Sequence, residues 1–190
     1  MIDSLRNIFH ATKKVFSIPK DIEWLKQKEW NDYKSEKVIS GQILSNLNAQ
    51  KKQITDFNEV EFRVFSQFGD DGIIQWLISN LPFQNKTFIE FGVEDFRESN
   101  TRFLLINNYW SGFVMDGSPQ HMKSLQNEII YIFHDIIGHP SFITAENIND
   151  LLKLSGFGRP IDILSIDIDG NDYWVWKAIN SIDPVLIICE

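Results

Sequence analysis

Ile161-Asp162-Ile163-Leu164-Ser165-Ile166-Asp167-Ile168-Asp169-Gly170 is the stretch that decides the fold. It is an apolar run that ends in carboxylates and a glycine. An earlier run, Thr87-Phe88-Ile89-Glu90-Phe91-Gly92-Val93, has the same make-up. Runs of this kind read as strands buried on both faces of a parallel sheet. Carboxylates at the carboxyl ends of such strands face the crevice where open α/β sheets bind ligands. The two runs therefore place acidic chemistry at a ligand site.

Around them, helices and strands alternate. Ile73-Ile74-Gln75-Trp76-Leu77-Ile78 predicts a helix ended by Asn80-Leu81-Pro82. Residues 101–107 predict the next helix, with Ser99 or Asn100 as N-cap. Gly112-Phe113-Val114-Met115-Asp116 is a second strand ending in an acid, and a helix follows from Gln120 to Ile130. The third strand falls on 129–133 or on 141–144, and we favour the second. A helix over 147–154 ends at Ser155-Gly156. The strand over 161–167, a helix over 173–179 and the strand Val185-Leu186-Ile187-Ile188 complete the series. This order predicts βαβ units in a Rossmann-like, doubly wound, mostly parallel α/β sheet.

Two domains are expected, a helical N-terminal extension over 1–60 and the sheet domain over 61–190, because Lys, Asn, Gln and Glu dominate the first part. Ile2, Leu5, Ile8, Phe9, Val15 and Phe16 approach helical spacing, with Arg6, Lys13 and Lys14 between them. A helix packed on the domain or on a second copy is favoured over an interfacial membrane helix. Pro19 interrupts it, and 22–54 reads as one or two further polar helices.

With 18 Lys and Arg against 26 Asp and Glu, the net charge is −8. Such a surface repels phosphate backbones, so no nucleic-acid partner is expected. No apolar stretch is long enough for an integral membrane segment, and the N-terminus lacks the pattern of a secretory signal, so the cytoplasm is the expected location. The lone cysteine, Cys189, lies in an apolar run and reads as core.

The turn Glu90-Phe91-Gly92-Val93-Glu94-Asp95 places a glycine where backbone and ligand approach closely. A dinucleotide fingerprint needs two later glycines, which are missing, and a pyrophosphate would meet Glu90, Glu94 and Asp95. A cationic, phosphate-free ligand suits this turn, and S-adenosylmethionine is one. Asp116 either accepts both ribose hydroxyls or forms the turn before Gly117-Ser118-Pro119. Asp167-Ile168-Asp169-Gly170 admits several readings. It resembles the nucleophile motif of haloacid-dehalogenase-type phosphatases and the metal–nucleotide-sugar site of some glycosyltransferases. It also suits acids facing a substrate beside a cofactor, as general base or as ligands of a divalent ion, and a plain turn with a helix cap. Asp167, Asp169 and Glu190 would converge at one sheet edge, which suits Mg²⁺ or Mn²⁺. His134-Asp135 reads as a loop histidine in preference to a catalytic pair. Tyr173, Trp174 and Trp176 read as helix-to-sheet core, with the lining of a substrate pocket as the other reading of Trp174.

An ordered set of segments resembles the FkbM-type methyltransferases. It comprises Phe65-Ser66-Gln67-Phe68-Gly69-Asp70-Asp71-Gly72-Ile73, Phe88 to Val93, Glu98-Ser99-Asn100-Thr101, Trp110 to Gly117, Ile143 to Asn149, and Leu164 to Trp176. The resemblance covers residues 62–190. It implies a class I S-adenosylmethionine-dependent methyltransferase acting on an oxygen or nitrogen of a sugar, a glycan precursor or another small polar acceptor. It also implies that Glu90 and Gly92 line the methionine and ribose side of the cofactor. Asp116, with Gly117 beside it, would hold the ribose. Glu146 would lie near the adenine, and Gln67 would close over the cofactor. Asp167 and Asp169 would face the acceptor as catalytic residues. Glu94-Asp95-Phe96 departs from the small residues usual in that turn. A class I sheet has seven strands, so a sheet lacking its last two is expected, left by a shortened chain or finished by a partner. A homo-oligomer through the N-terminal helices is a further expectation. Two alternatives stand beside the enzyme: a non-catalytic scaffold of the same fold, and a metal-dependent glycosyltransferase using Asp167 and Asp169.

Overall fold

The structure, a computed structural model, describes residues 35–189. The expected helix over 2–16 and the metal candidate Glu190 lie outside the described residues. The chain divides into two units, Met1–Ser40 and Gly41–Glu190. Residues 35–40 of the first are helical, and the second opens with a helical stretch over 41–48, α1. The 49–54 part of the expected polar helices is turn and irregular chain. Among the described residues no helix is long and apolar enough to cross a membrane.

The second unit is an α/β fold. Its strands are β1 (Thr87–Phe91), β2 (Ser111–Asp116), β3 (Ile136–Pro140), β4 (Ile161–Ile166) and β5 (Pro184–Cys189). They form one five-stranded sheet in the order β3-β2-β1-β4-β5, and every pairing is parallel. The helices are α2 (Asp70–Asn80), α3 (Arg102–Asn108), α4 (Pro119–Gln126), α5 (Ile130–Phe133), α6 (Ile148–Lys153) and α7 (Asp172–Ala178).

Successive strand residues point to opposite faces, and the apolar runs fill both. Phe88, Val114 and Ile163 pack with Ile74 of α2, Leu104 and Leu105 of α3, and Met122 and Leu125 of α4. Ile89, Phe91, Phe113, Met115, Leu164 and Ile166 pack with Ile148 and Leu152 of α6 and Val175 of α7. The sheet is thus covered on both sides. Strand order reverses direction between β1 and β4, which puts the switch point at their carboxyl ends.

Four expectations are corrected. The third strand is Ile136–Pro140, neither of the two segments expected, and the run 129–133 instead carries the short helix α5. Gly138 looks like a strand breaker, but a β-carbon there would stand 3.1 Å from Leu125 and 3.2 Å from the Met122 sulfur, so α4 packs over the bare backbone. Cys189 is exposed rather than core, because β5 is an edge strand among the described residues. Tyr173, Trp174 and Trp176 are exposed as well; α7 turns Asp172 and Val175 toward the sheet. Finally, neither Ser99 nor Asn100 caps α3. Thr101 holds the N-cap position without a side-chain cap bond, and the carboxylate of Glu90 accepts from the N–H groups of Asn100 and Thr101 just ahead of the helix.

Asp162 shows how the opposite end of the sheet is closed. It is fully buried near the start of β4. Its carboxylate accepts from the backbone N–H groups of Gln84 at 3.2 Å, Asn85 at 2.8 Å, Lys86, and Thr87 at 3.4 Å. A buried charge needs such compensation, and here it folds the turn that feeds β1. Replacing Asp162 with Ala takes the acceptor from these four amides and should destabilise the chain by about 1–3 kcal/mol in urea titration. A loss below about 0.5 kcal/mol would show that the turn does not depend on the carboxylate.

Candidate functional site

A cleft of about 840 Å³ opens over the carboxyl ends of β1, β2 and β4. Gly92 sets its floor. It has φ +83, and a β-carbon there would lie 1.3 Å from the carbonyl oxygen of Asp167. Only glycine allows β1 and β4 to end this close together. The Gly92 N–H donates to the Met115 carbonyl at 3.0 Å, and Asp167 N–H donates to the Phe91 carbonyl at 3.1 Å. The chain then stays in unusual conformations, with Glu94 at φ 47 and Phe96 at φ 66. Arg102 locks that turn from below: it is 2% exposed and donates to the Phe96 carbonyl at 2.9 Å and to Glu128 at 2.7 Å.

Glu90 is only 4% exposed at the back of the cleft. Its Oε1 accepts from Asn100 N–H at 3.0 Å and lies 3.3 Å from the Ser165 hydroxyl. Its Oε2 accepts from the Ser99 hydroxyl at 2.5 Å, from Thr101 N–H at 3.1 Å and from the Thr101 hydroxyl. The protein itself thus fills this carboxylate's acceptor sites. Glu90 joins β1 to α3, and its charge still faces the cleft.

Asp116 ends β2 with its side chain 13% exposed. Oδ2 accepts from Glu94 N–H at 2.9 Å, and Oδ1 accepts from Ser118 N–H at 2.8 Å. His121 Nδ1 lies 3.0 Å from Oδ1. The turn-forming role weighed for Asp116 is therefore present, and the same carboxylate ties the β1 turn to the start of α4.

After β4 the chain reverses through Asp169 at φ 55 and Gly170 at φ 100. The expected cap on α7 takes another form. Asn171 makes no side-chain cap bond; instead the buried Asp172 reaches back, its Oδ1 accepting from Ile168 N–H at 2.8 Å and its Oδ2 from Gly170 N–H at 2.9 Å. This fixes the loop that presents Asp167 and Asp169.

Gln67, Glu90, Gly92, Asp116, Gly117, Asp167 and Asp169 all line the cleft. Glu146 stands outside it, exposed between β3 and α6, where the Thr144 hydroxyl draws its carboxyl below the usual range. Among the described residues no group of three or more His, Cys, Asp or Glu is placed to hold a metal ion. No motif in the sequence marks Ser99, Asn100 and Ser165 as partners of Glu90, nor Asp172 as the anchor of the acidic loop. Ser99 and Asn100 follow Glu90 by 9 and 10 positions, near enough for a local signal, whereas Ser165 is 75 positions away.

Seven of the lining side chains are carboxylates: Asp70, Glu90, Glu94, Glu98, Asp116, Asp167 and Asp169. Lys and Arg are absent from the described lining residues. Charges of one sign in a cleft with low-dielectric walls focus the field, so this one attracts cations and repels phosphates. Gly92→Ala should part the β1 and β4 ends, with a loss of about 3 kcal/mol in urea titration. A variant as stable as the parent would mean that the two strand ends are not tightly apposed.

Comparison with protein-family models, with curated proteins and with solved structures finds no match to this chain.

Proposed function

We propose that this chain is an S-adenosylmethionine-dependent methyltransferase of the class I, FkbM-like type. Its acceptor is an oxygen or nitrogen of a sugar, a glycan precursor or another small polar molecule. The observation that carries this reading is the acidic cleft at the switch point of a doubly wound sheet, with seven carboxylates and no Lys or Arg among its described lining residues. A dinucleotide or nucleotide sugar brings a pyrophosphate, which such a lining repels. S-adenosylmethionine brings a sulfonium, an ammonium and a ribose, and no phosphate. A volume of about 840 Å³ lies within the range of ligand sites and is roomy enough for a nucleoside-sized molecule with a small acceptor beside it.

In this reading Gly92 lets the ligand approach the β1 turn, and Glu90 supplies negative potential from behind the cleft. Asp116 lines the cleft, and its Oδ2, which accepts from the Glu94 N–H, is the oxygen offered to the ribose hydroxyls. When bound, S-adenosylmethionine supplies a methyl carbon already activated by its sulfonium. The acceptor's lone pair forms the new bond to that carbon as the carbon–sulfur bond breaks, and the electron pair stays on sulfur. The chain's part is to hold the two reactants in line and to take the acceptor's proton. Asp169, exposed on the loop fixed by Asp172, and Asp167 beside it are the groups assigned to that proton.

Calorimetry tests the reading. S-adenosylhomocysteine should bind the full chain, and Asp116→Ala should weaken that binding about tenfold or more, the value of hydrogen bonds to a charged group. Absence of binding by the folded wild type would count against the enzyme. Equal binding by the variant would remove Asp116 from the ribose site.

A further inference from the structure

The chain between Phe62 and Gly72 closes on itself before α2 is under way. Phe62 N–H donates to the Gly69 carbonyl at 3.3 Å, and Gly72 N–H donates to the Phe62 carbonyl at 3.0 Å. One carboxylate oxygen, Asp71 Oδ2, gathers the bend: it accepts from the N–H groups of Val64, Phe65 and Ser66 and from the Ser66 hydroxyl, each at 2.8 Å. The Ser66 hydroxyl oxygen accepts in return from Asp71 N–H at 3.1 Å. Asp71 is 1% exposed. Gly72 makes the crossing tight, since a β-carbon there would stand 2.2 Å from the Val60 carbonyl oxygen.

The tip of this closed loop is Gln67-Phe68, and both residues line the cleft. The loop turns Val64 and Phe65 inward, 5% and 7% exposed, and leaves Phe68 at 69%. A large apolar ring held out to water loses hydrophobic free energy that neighbours three and four residues away recover by burial. The loop therefore holds the ring outward at the mouth of a cleft whose charged side chains are acidic.

We infer that Phe68 is a ligand-contacting residue that takes the cationic part of the cleft's ligand against its ring face, and that Asp71 is the positioning residue that holds it there. The inference rests on the reading of a positively charged ligand given above. An aromatic face attracts a cation through its quadrupole, and a soft, poorly hydrated sulfonium or substituted ammonium suits it better than a strongly hydrated ion. The acids supply long-range attraction, and the ring supplies a short-range contact that does not neutralise the charge. Burial pushes the Asp71 carboxyl above its ordinary range against the pull of the donors on Oδ2, and Asp71→Asn keeps an acceptor oxygen for those donors.

S-adenosylmethionine and S-adenosylhomocysteine differ by the charged methyl sulfonium, so their affinity ratio reads this contact. With the full chain, Phe68→Ala should weaken S-adenosylmethionine about tenfold and S-adenosylhomocysteine about threefold. Phe68→Leu should keep the second affinity and lose the first. Asp71→Asn should move the ratio in the same direction, which a general loss of folded protein does not do. Phe68→Ala tests the contact even where Asp71→Asn fails to fold, because the exposed ring is not part of the core. Equal losses for both ligands, or none, overturn the inference. A wild type that binds neither ligand overturns the methyltransferase reading instead. Trimethylsulfonium, followed by NMR on wild type and Phe68→Ala, then decides the ring contact by itself: shifts lost in the variant support it, and unchanged shifts overturn it.

Discussion

At Gly92 the end of β1 passes the Asp167 carbonyl with no room for a β-carbon. The rest of the site depends on that approach. Because β1 and β4 end side by side, the two acidic loops that leave them diverge around one crevice. Because Gly92 has φ +83, the chain turns over the tip of β2, where Asp116 can accept from Glu94 N–H. The left-handed Glu94 and Phe96 follow from that turn, and the Arg102–Glu128 pair, with Arg102 almost wholly buried, holds them in place. A sheet with relaxed strand ends would splay these loops and lose the convergence of charge.

A second regularity is the use of buried acids to organise loops. Asp71, Glu90, Asp162 and Asp172 are all buried, and each accepts backbone N–H groups from an irregular segment. Removing a carboxylate from water is tolerable when several amide donors replace the water. Three of these acids hold elements at the cleft: Asp71 the loop carrying Phe68, Glu90 the start of α3, and Asp172 the loop of Asp167 and Asp169. Asp162 does the same at the far end of the sheet. Four of the 26 acidic residues are therefore structural, and of these Glu90 also lines the cleft.

Most of the sheet was legible because its central strands are continuous apolar runs bounded by turn residues. β1, β2, β4 and β5 were read to within two residues at either end. β3 was not, because an edge strand of five residues containing Gly138 and His139 and ending at Pro140 carries little apolar signal; it gains its place from α4 and from pairing with β2. The aromatic run of α7 misled for a related reason: a helix of seven residues turns only one narrow stripe to the sheet, and Tyr173, Trp174 and Trp176 fall off it. Within the cleft, Glu90, Gly92, Asp116, Asp167 and Asp169 could be named from the sequence because strand ends locate them. Their supports could not all be. Ser165 meets Glu90 across 75 positions, and Asp162 meets Asn85 across 77. Contacts at such separations leave no local pattern.

The proposed methyltransferase reading requires a cleft that selects its ligand by charge, admitting a phosphate-free cation and rejecting phosphates. A ligand panel read by thermal shift on the full chain, at low salt and without divalent metal, tests this most directly. S-adenosylmethionine should raise the melting temperature, while NAD, ATP and a uridine diphosphate sugar should leave it unchanged. Stabilisation by the phosphate-bearing ligands, with none by S-adenosylmethionine, would contradict it.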